Sequence, residues 1–271
     1  LRLTGLSNSA NALVCIPEWE VYGPAPEPVG LELSKTAVNV RENGEGRFFV
    51  RLASVPAADM AVAVARTGGD ADLSVASGGS LTFTPANWSA WQAVTLSGAD
   101  DEDADGGTAA FAVSGAGVAT ATATAAELDD DVGENLARAG KATGGSRGAM
   151  AIDGIHASLA NYAYVNSTSS PPGSLVLDLK AQKAIGRIRV LNWDWSCRYH
   201  RYEIEGSVDG LEWTTLVDAG GEGHQGWDDW AVDATARYLR LTGLSNSANA
   251  LVCIPEWEVY EAQAPLMRRT S

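Results

Sequence analysis

The sequence is poor in cysteine, histidine and basic residues, and it has no long apolar run. Its 271 residues include 3 Cys, 3 His and 19 Lys or Arg against 34 Asp or Glu, so the formal net charge is −15 at pH 7. Binding to a nucleic-acid backbone needs clustered Lys and Arg, which argues against that class of partner. A membrane-spanning helix needs roughly 18 or more consecutive apolar residues, which the sequence lacks. We therefore expect no nucleic-acid partner and no membrane span.

Enzyme motifs are also missing. The sequence contains no H-E-x-x-H zinc motif and no phosphate-binding glycine loop followed by Lys and Ser or Thr. Its acidic pairs lie in hydrophilic turns, where a bound cation or simple solvation accounts for them better than acid–base catalysis does. We therefore predict a non-catalytic protein with no catalytic residues.

The acidic charge is concentrated in the first half of the chain. Residues 31–134 hold 16 Asp or Glu and 5 Lys or Arg, whereas residues 135–260 hold 14 and 11. A surplus of carboxylates suits a divalent cation, because Ca²⁺ takes about six to eight oxygen ligands. A solvated acidic surface is the alternative.

One segment occurs twice. Residues 1–22, LRLTGLSNSANALVCIPEWEVY, return letter for letter as residues 239–260. We interpret residues 1–22 as the last two strands of a preceding copy of the second domain, in a tandem array. The Pro/Gly-rich GPAPEPVG at 23–30 is then a stiff linker, and residues 261–271 are a C-terminal tail. A second interpretation is that residues 1–22 form a connector that completes a domain of another chain, because an isolated hairpin is marginal in water.

Two-residue alternation predicts an all-β protein. Val62 and Val64 share one strand face, and Leu81 and Phe83 share another. Turn signals such as ENGEG, TGGD and SGGS separate the short runs, and no helical period of useful length appears. Such spacing is typical of β-sandwiches. We predict two antiparallel β-sandwiches joined by short linkers, over residues 31–134 and 135–260.

Residues 31–131 resemble the Calx-beta family. The resemblance is carried by VNVRENGEGRFFVRLASVPAADMAVAVART, by GGSLTFTPANWSAWQAVTLSGADDEDADGG and by the closing ELDDD. It implies an immunoglobulin-like sandwich with a Ca²⁺ site at one end, formed by an early Glu and two Asp-rich segments. The matching residues are Glu42, Asp100, Asp101, Asp103, Asp105, Asp129, Asp130 and Asp131.

Residues 135–260 resemble the discoidin family, also called coagulation-factor type C, in the branch that includes family-32 carbohydrate-binding modules. The carrying segments are NLARAGKATGG, AIDG, LVLDL, IGRIRVLNWDW, RYHRYEIEGSVDGLEWTTLVD, ARYLRLTGLSNSAN and PEWEVY. The resemblance implies a jelly-roll with a structural Ca²⁺ beneath its loops. The ligands that it implies here are Asp153, Glu256 and Ser158.

Sugar-binding relatives stack loop aromatics on sugar rings and add Arg, His and Asn donors. The resemblance gives seven ligand-binding candidates: Trp193, Trp195, Arg198, His200, His224, Trp227 and Asn249. Trp213 and Trp257 match core positions of the family. Where relatives often have a Trp shortly after the AIDG segment, this sequence has Tyr162 and Tyr164 instead. The alternative for each loop aromatic is that it packs under its own loop.

The same resemblance implies a disulfide. Cys197 and Cys253 lie in loops that are neighbours in the family fold, so a Cys197–Cys253 bond would fix the edge of the binding loops. Cys15, the counterpart of Cys253 in the first copy of the repeat, would then need a partner that lies before residue 1 or in another chain. The alternative is three reduced thiols.

Two functions fit these patterns. The first is an extracellular or cell-surface bacterial module that binds a polysaccharide or another glycan, stabilised by structural Ca²⁺. The second is a structural subunit of an extracellular fibre or sheath, in which further copies of the repeat are the partners. An exposed loop aromatic favours the first function, and burial of the same loops against a neighbouring molecule favours the second.

Overall fold

A computed structural model describes Glu20 and residues 27–102, 106–131, 133–156 and 160–262. The described residues form strands with three short 3-10 helices, at Leu136–Ala139, Gly148–Ile152 and Trp195–Cys197. The predicted all-β fold is confirmed. Within these residues, no helix has the length and apolar character needed to cross a bilayer.

The first unit is a sandwich of nine strands. These are β1 (Leu31–Leu33), β2 (Ala37–Arg41), β3 (Glu45–Leu52), β4 (Met60–Gly69), β5 (Ser74–Ser77), β6 (Ser80–Phe83), β7 (Gln92–Ser97), β8 (Thr108–Gly115) and β9 (Val118–Leu128). One sheet has the order β1-β3-β7-β5, and the other has the order β2-β9-β8-β4-β6. All neighbouring pairs are antiparallel except β2 and β9.

Alternating side chains pack the core between these sheets. Val62 and Val64 of β4 are buried and face the buried Phe111 of β8 within one apolar cluster. In β9 the small Ala123 and Ala125 are buried, while Thr122 and Thr124 face solvent. The alternation predicted for Val62 and Val64 of β4 is therefore confirmed.

The second unit has eight strands. These are β10 (Lys141–Gly144), β11 (Ala163–Asn166), β12 (Ser174–Asn192), β13 (His200–Ser207), β14 (Thr214–His224), β15 (Gly226–Asn246), β16 (Leu251–Ile254) and β17 (Glu256–Glu261). Six of them form a sheet in the order β10-β12-β15-β13-β14, with β17 paired to β12, and β11 pairs with β16.

The second core contains one of the two expected tryptophans. Trp257 is fully buried with Tyr202 and Leu239. Trp213, expected in the core, is only half-buried and lies under Arg240, whose Cζ is 4.3 Å from the ring centroid. Trp213 precedes β14, the edge strand of its sheet, where no further strand covers it.

The repeated segment spans more strands than the sequence predicted. Residues 239–260 comprise the end of β15, all of β16 and most of β17, which makes three strands instead of two. The first copy, at residues 1–22, lies outside the described residues except for Glu20, so its role stays a prediction.

Candidate functional site

Four side chains at the loop end of the second unit pack into one cluster. Tyr162 and Trp193 have ring centroids 6.0 Å apart and planes tilted by 53°. The guanidinium Cζ of Arg147 lies 5.6 Å from the Tyr162 centroid, and that of Arg198 lies 4.8 Å from the Trp193 centroid. Both are within the range of a cation–π interaction. We call these four residues the arginine–aromatic cluster.

Strand ends position the two aromatic rings of this cluster. Tyr162 directly precedes β11, and Trp193 directly follows β12. The main-chain N–H of Trp193 donates to the Cys253 carbonyl in β16 at 3.2 Å, and β16 pairs with β11. Because rigid strands hold both rings, the positions of the rings are fixed before any ligand binds. Tyr164, in β11 itself, lies 6.2 Å from Tyr162.

The loop that carries Trp195 is exposed and strained. Trp195 is 62% exposed, the most exposed aromatic among the large hydrophobic residues of the described chain. Ser196 and Cys197 follow with φ of 57° and 61°, in the left-handed region that non-glycine residues avoid. Gln225 Nε2 donates to the Cys197 carbonyl at 2.8 Å and helps to hold this conformation. Strain of about 1–3 kcal/mol per residue persists mainly where the surroundings enforce it, often at functional sites.

His200 does not face the loop surface as a ligand-binding residue would. Its side chain is fully buried. Nε2 lies 2.7 Å from the Trp193 carbonyl, and Nδ1 accepts the Cys253 N–H at 3.4 Å. Burial lowers the pKa of His200 to about 4. The imidazole therefore joins two chain segments beneath the cluster, and its predicted contact with sugar is wrong.

Trp227 is also removed from the predicted ligand surface. It is only 3% exposed and packs with Leu128 of the first unit and Leu191 of β12. His156 approaches its ring edge at a centroid distance of 6.1 Å. Asn39 Nδ2 of the first unit donates to the Trp227 carbonyl at 3.0 Å. Trp227 thus fills the junction between the two units and cannot stack on a ligand there.

His224 and Asn249 occupy intermediate situations. His224 Nδ1 lies 3.0 Å from Asp228 Oδ1, and its ring packs between those of Tyr202 and Trp230. The exposed Asn249 uses its side-chain oxygen to accept the Leu251 N–H at 2.9 Å, which closes its own loop. Neither contact tests ligand binding, so both residues stay predictions.

The predicted disulfide is wrong. Cys197 and Cys253 are both free thiols. Gln225 Nε2 lies 3.4 Å from Cys197 Sγ, whereas Cys253 Sγ lies 3.6 Å from the Leu251 carbonyl of its own strand. The two sulfurs therefore have different partners, and Cys253 lies in strand β16 and not in a loop. Burial raises the pKa of Cys253 to about 11.

The first unit brings three predicted acidic residues together. Carboxylate oxygens of Glu42, Asp100 and Asp130 all lie within 4.8 Å of one another. Glu42 is buried and accepts main-chain N–H bonds from Asp101 at 2.5 Å and from Asp130 at 3.1 Å. These bonds fix the two Asp-rich segments around a single carboxylate. Clustered oxygens of this kind suit a Ca²⁺ ion.

Further carboxylates line this acidic cluster. Asp129 is buried, and its Oδ2 has no hydrogen-bond partner among the described residues. Loss of hydration and the negative charges of Glu42 and Asp129 raise the pKa of Asp131. A cation would supply the missing partner and remove this repulsion. Two predicted ligands, Asp103 and Asp105, lie outside the described residues.

The acidic cluster lies next to the junction between the units. Arg41 bridges the first unit to the second, with ion pairs to Asp130 at 2.9 Å and to Glu258 at 3.0 Å. From the other side, Arg189 NH1 donates to the Asp129 carbonyl at 2.8 Å. Asp130 is thus held by Arg41 of the first unit, and Asp129 is held by Arg189 of the second unit.

The second unit has a smaller acidic site at Asp153 and Glu256. Glu256 is fully buried, and its Oε2 accepts the Gly154 N–H at 3.0 Å, whereas Oε1 has no partner among the described residues. Burial, Glu258 and Asp153 raise the pKa of Glu256 to about 9. Asp153 accepts the Asn161 side-chain N–H at 2.7 Å. A buried, unpaired carboxylate oxygen fits a cation ligand. Ser158, the third predicted ligand, lies outside the described residues.

Sequence reasoning missed Arg147 and the junction. Arg147 lies in GGSRG, at a left-handed φ of 59° between β10 and the 3-10 helix Gly148–Ile152. These letters match G-x-S-x-G, but the main chain of Ser146 pairs with Tyr164 of a neighbouring strand, which is not the strand–turn–helix setting of a nucleophile. Only the glycines around Arg147 signalled an unusual backbone.

Residues 135–256 match the family model of the F5/8 type C domain. This match supports the discoidin resemblance of the second unit. It does not extend to residues 31–134, so the Calx-beta resemblance and the tandem array stay predictions. BTB/POZ domain-containing protein 9 of Homo sapiens and that of Mus musculus are each 29% identical over 93 residues, 34% of this chain. The chain spans 15% of the length of these curated relatives.

Two solved structures are similar to part of the chain. CpGH89CBM32-6 produced by Clostridium perfringens is 24% identical over 48% of this chain and 100% of its own, with a TM-score of 0.40. A selenomethionine-labelled mutant of chitosan-binding module 1, from the chitosanase/glucanase of Paenibacillus sp. IK-5, is 26% identical over 46% of this chain and 97% of its own, with a TM-score of 0.39.

Proposed function

We propose that this chain is a non-catalytic carbohydrate-binding module whose ligand site lies at the loop end of the second unit. The observation that carries the proposal is the exposed Trp195 beside the arginine–aromatic cluster, in the part of the chain that matches the F5/8 type C domain. Exposed aromatic rings on a rigid scaffold supply a large contact area at little entropic cost. Trp193, Trp195 and Arg198 keep their predicted ligand-binding role.

Structural Ca²⁺ is part of this proposal. The carboxylates of Glu42, Asp100 and Asp130 would hold one ion, and Asp153 with Glu256 would hold another. Bound at these places, Ca²⁺ would neutralise clustered carboxylates and stiffen the loops that carry them. The partnerless oxygens of Asp129 and Glu256 support both sites.

The setting we propose is extracellular or at a bacterial cell surface, with the module acting in adhesion. The fibre hypothesis, in which copies of the repeat pack through these loops, predicts self-association. Sedimentation of the full chain at rising concentration separates the two: a monomer that binds glycan favours the module. If the chain self-associates in the absence of glycan, and Trp195→Ala abolishes that association, the result favours the fibre.

Glycan binding itself is tested with one variant and one control. The full chain is applied to an array of polysaccharides, beside Trp195→Ala and Leu211→Ala. Leu211 is 79% exposed in the same unit and lies in the turn after Asp209, so its removal deletes apolar surface elsewhere. We expect glycan binding by Trp195→Ala to be at least about tenfold weaker, because the substitution removes one aromatic contact with the ligand. Equal binding by wild type and Trp195→Ala contradicts the proposed site.

A further inference from the structure

We propose that the arginine–aromatic cluster selects an anionic polysaccharide, one with carboxylate or sulfate groups, over a neutral one. This inference rests on the proposed function, because it names the class of glycan that the same site takes. Three features of the cluster support it. Arginine side chains lie over its rings, its guanidinium groups form no ion pair among the described residues, and left-handed backbone lies at or next to its arginines.

The rings of the cluster are covered by positive charge. A neutral sugar that stacked on Tyr162 or Trp193 would need an open ring face. Arg147 lies over the first ring and Arg198 over the second, and the two rings also pack on each other. A ligand that approaches those covered faces therefore meets a guanidinium group. A planar guanidinium presents paired N–H donors that match a carboxylate or a sulfate.

Among the described residues, no carboxylate neutralises either guanidinium. Within the part of the chain that the structure describes, Arg147 and Arg198 form no ion pair, whereas other arginines such as Arg41, Arg237 and Arg240 do. The chain as a whole carries a net charge of −15. Two unpaired cations on one surface of so acidic a protein are the local charge that an anionic ligand requires.

The backbone at Arg147 and at the residue before Arg198 is held in an uncommon conformation, whereas Arg198 itself is extended. Arg147 itself has φ 59° and ψ 34°, and Cys197, directly before Arg198, has φ 61°. Left-handed backbone at a non-glycine residue is costly and is kept only where the surroundings enforce it. Guanidinium groups that are fixed in advance lose less freedom when a ligand binds, which favours their use in recognition.

The test compares charged polymers with matched neutral ones, on the full 271-residue chain. The probes are polygalacturonate and its fully methyl-esterified form, and dextran sulfate and unmodified dextran, each titrated by calorimetry. We expect at least one anionic polymer to bind about tenfold or more tightly than its neutral partner. Because surface charges are screened by salt, raising the ionic strength should weaken that binding. The two pairs distinguish carboxylate from sulfate recognition.

Variants locate the effect. Arg147→Gln and Arg198→Gln should each weaken binding of the anionic polymer by about tenfold, since charge-assisted hydrogen bonds are lost. Binding of a neutral polymer should weaken less than binding of the anionic one, so that the ratio of the two affinities falls in both variants. Arg66→Gln is the matched control, because Arg66 is exposed in β4 of the first unit and the net charge changes equally. Circular dichroism and the melting temperature check that each variant is folded.

Two results overturn the inference while leaving the proposed function intact. One is binding of the neutral polymer as tight as that of its charged partner, with loss in Trp195→Ala. The other is an equal loss of anionic binding in Arg66→Gln and in the cluster variants, because that would show a general charge effect. If the chain binds none of the four polymers and no glycan on the array, both this inference and the proposed function fail.

Discussion

Lys35 of the first unit donates a hydrogen bond of 2.6 Å from Nζ to the Gln225 carbonyl of the second unit. Gln225 in turn donates from its side chain to the Cys197 carbonyl, in the loop that carries Trp195. Burial lowers the pKa of Lys35, and the negative charges of Asp194 and Asp228 oppose that shift. A lysine of one unit thus supports the loop on which the proposed ligand site of the other depends.

Removing the Lys35 ammonium should destabilise this junction. We expect Lys35→Met to lower the free energy of unfolding by about 1–3 kcal/mol, because it leaves buried acceptors without their partner. Urea denaturation followed by tryptophan fluorescence measures the change. Lys141→Met, at an exposed position of β10, is the control and should stay within about 0.5 kcal/mol of wild type. Equal stability of all three proteins would mean that the Lys35 hydrogen bond contributes nothing to stability.

Acid should destabilise the second unit through His200. Its pKa in the folded protein is about 4 because the ring is buried, while an unfolded chain titrates near 6.5. Stability is therefore fully present above pH 6.5 and is lost as the pH falls toward 4, by up to about 3 kcal/mol. Urea unfolding at several pH values in this window measures the slope for wild type and His200→Gln. Parallel slopes in the two proteins would contradict the assignment.

Calcium should stabilise the second unit through Glu256. At a free Ca²⁺ concentration about a hundredfold above the dissociation constant, we expect a gain of about 2.7 kcal/mol in the free energy of unfolding. Glu256→Gln keeps the shape of the side chain but removes the carboxylate that a bound Ca²⁺ needs, so its gain should be smaller by the contribution of this site. Glu212→Gln, at an exposed turn, should respond as wild type does. The same response in all three proteins would exclude Glu256 as a ligand.

The acidic cluster of the first unit should bind Ca²⁺ separately. Asp100 is exposed, so Asp100→Asn should fold normally and yet bind about one ion fewer in a calorimetric titration. Asp59→Asn makes the same change at an exposed position outside the acidic cluster and is the control. Unchanged stoichiometry in Asp100→Asn would show that these carboxylates are a solvated surface.

The two cysteines of the second unit should behave as free thiols. In denaturant without reductant, we expect alkylation of both Cys197 and Cys253, as read from peptide masses. In the native protein, Cys253 should be alkylated far more slowly than in the denatured protein, because burial raises its pKa to about 11 and lowers the thiolate fraction. If neither cysteine is alkylated in denaturant until a reductant is added, the disulfide hypothesis is restored.

Local patterns were enough to predict the strand character, and a family resemblance predicted the acidic cluster. Val62 and Val64 alternate with polar residues, and an alternating strand buries one face whatever packs on it. Glu42, Asp100 and Asp130 were predicted as ligands from a family resemblance, and the structure brings their oxygens together. The sequence pattern did not indicate the two irregularities of register through which β12 runs from Ser174 to Asn192.

The sequence by itself determined that this protein is all-β, because two-residue alternation acts within a few neighbouring residues and needs no distant partner. Only the tertiary structure decided which loop aromatics are free. Trp195 is exposed, whereas Trp227 is covered by Leu128 from the first unit, which lies far earlier in the sequence. His200 likewise lies beneath the loops and not on them. Burial depends on which distant segments pack against a side chain, and that information is not present in the residues beside it.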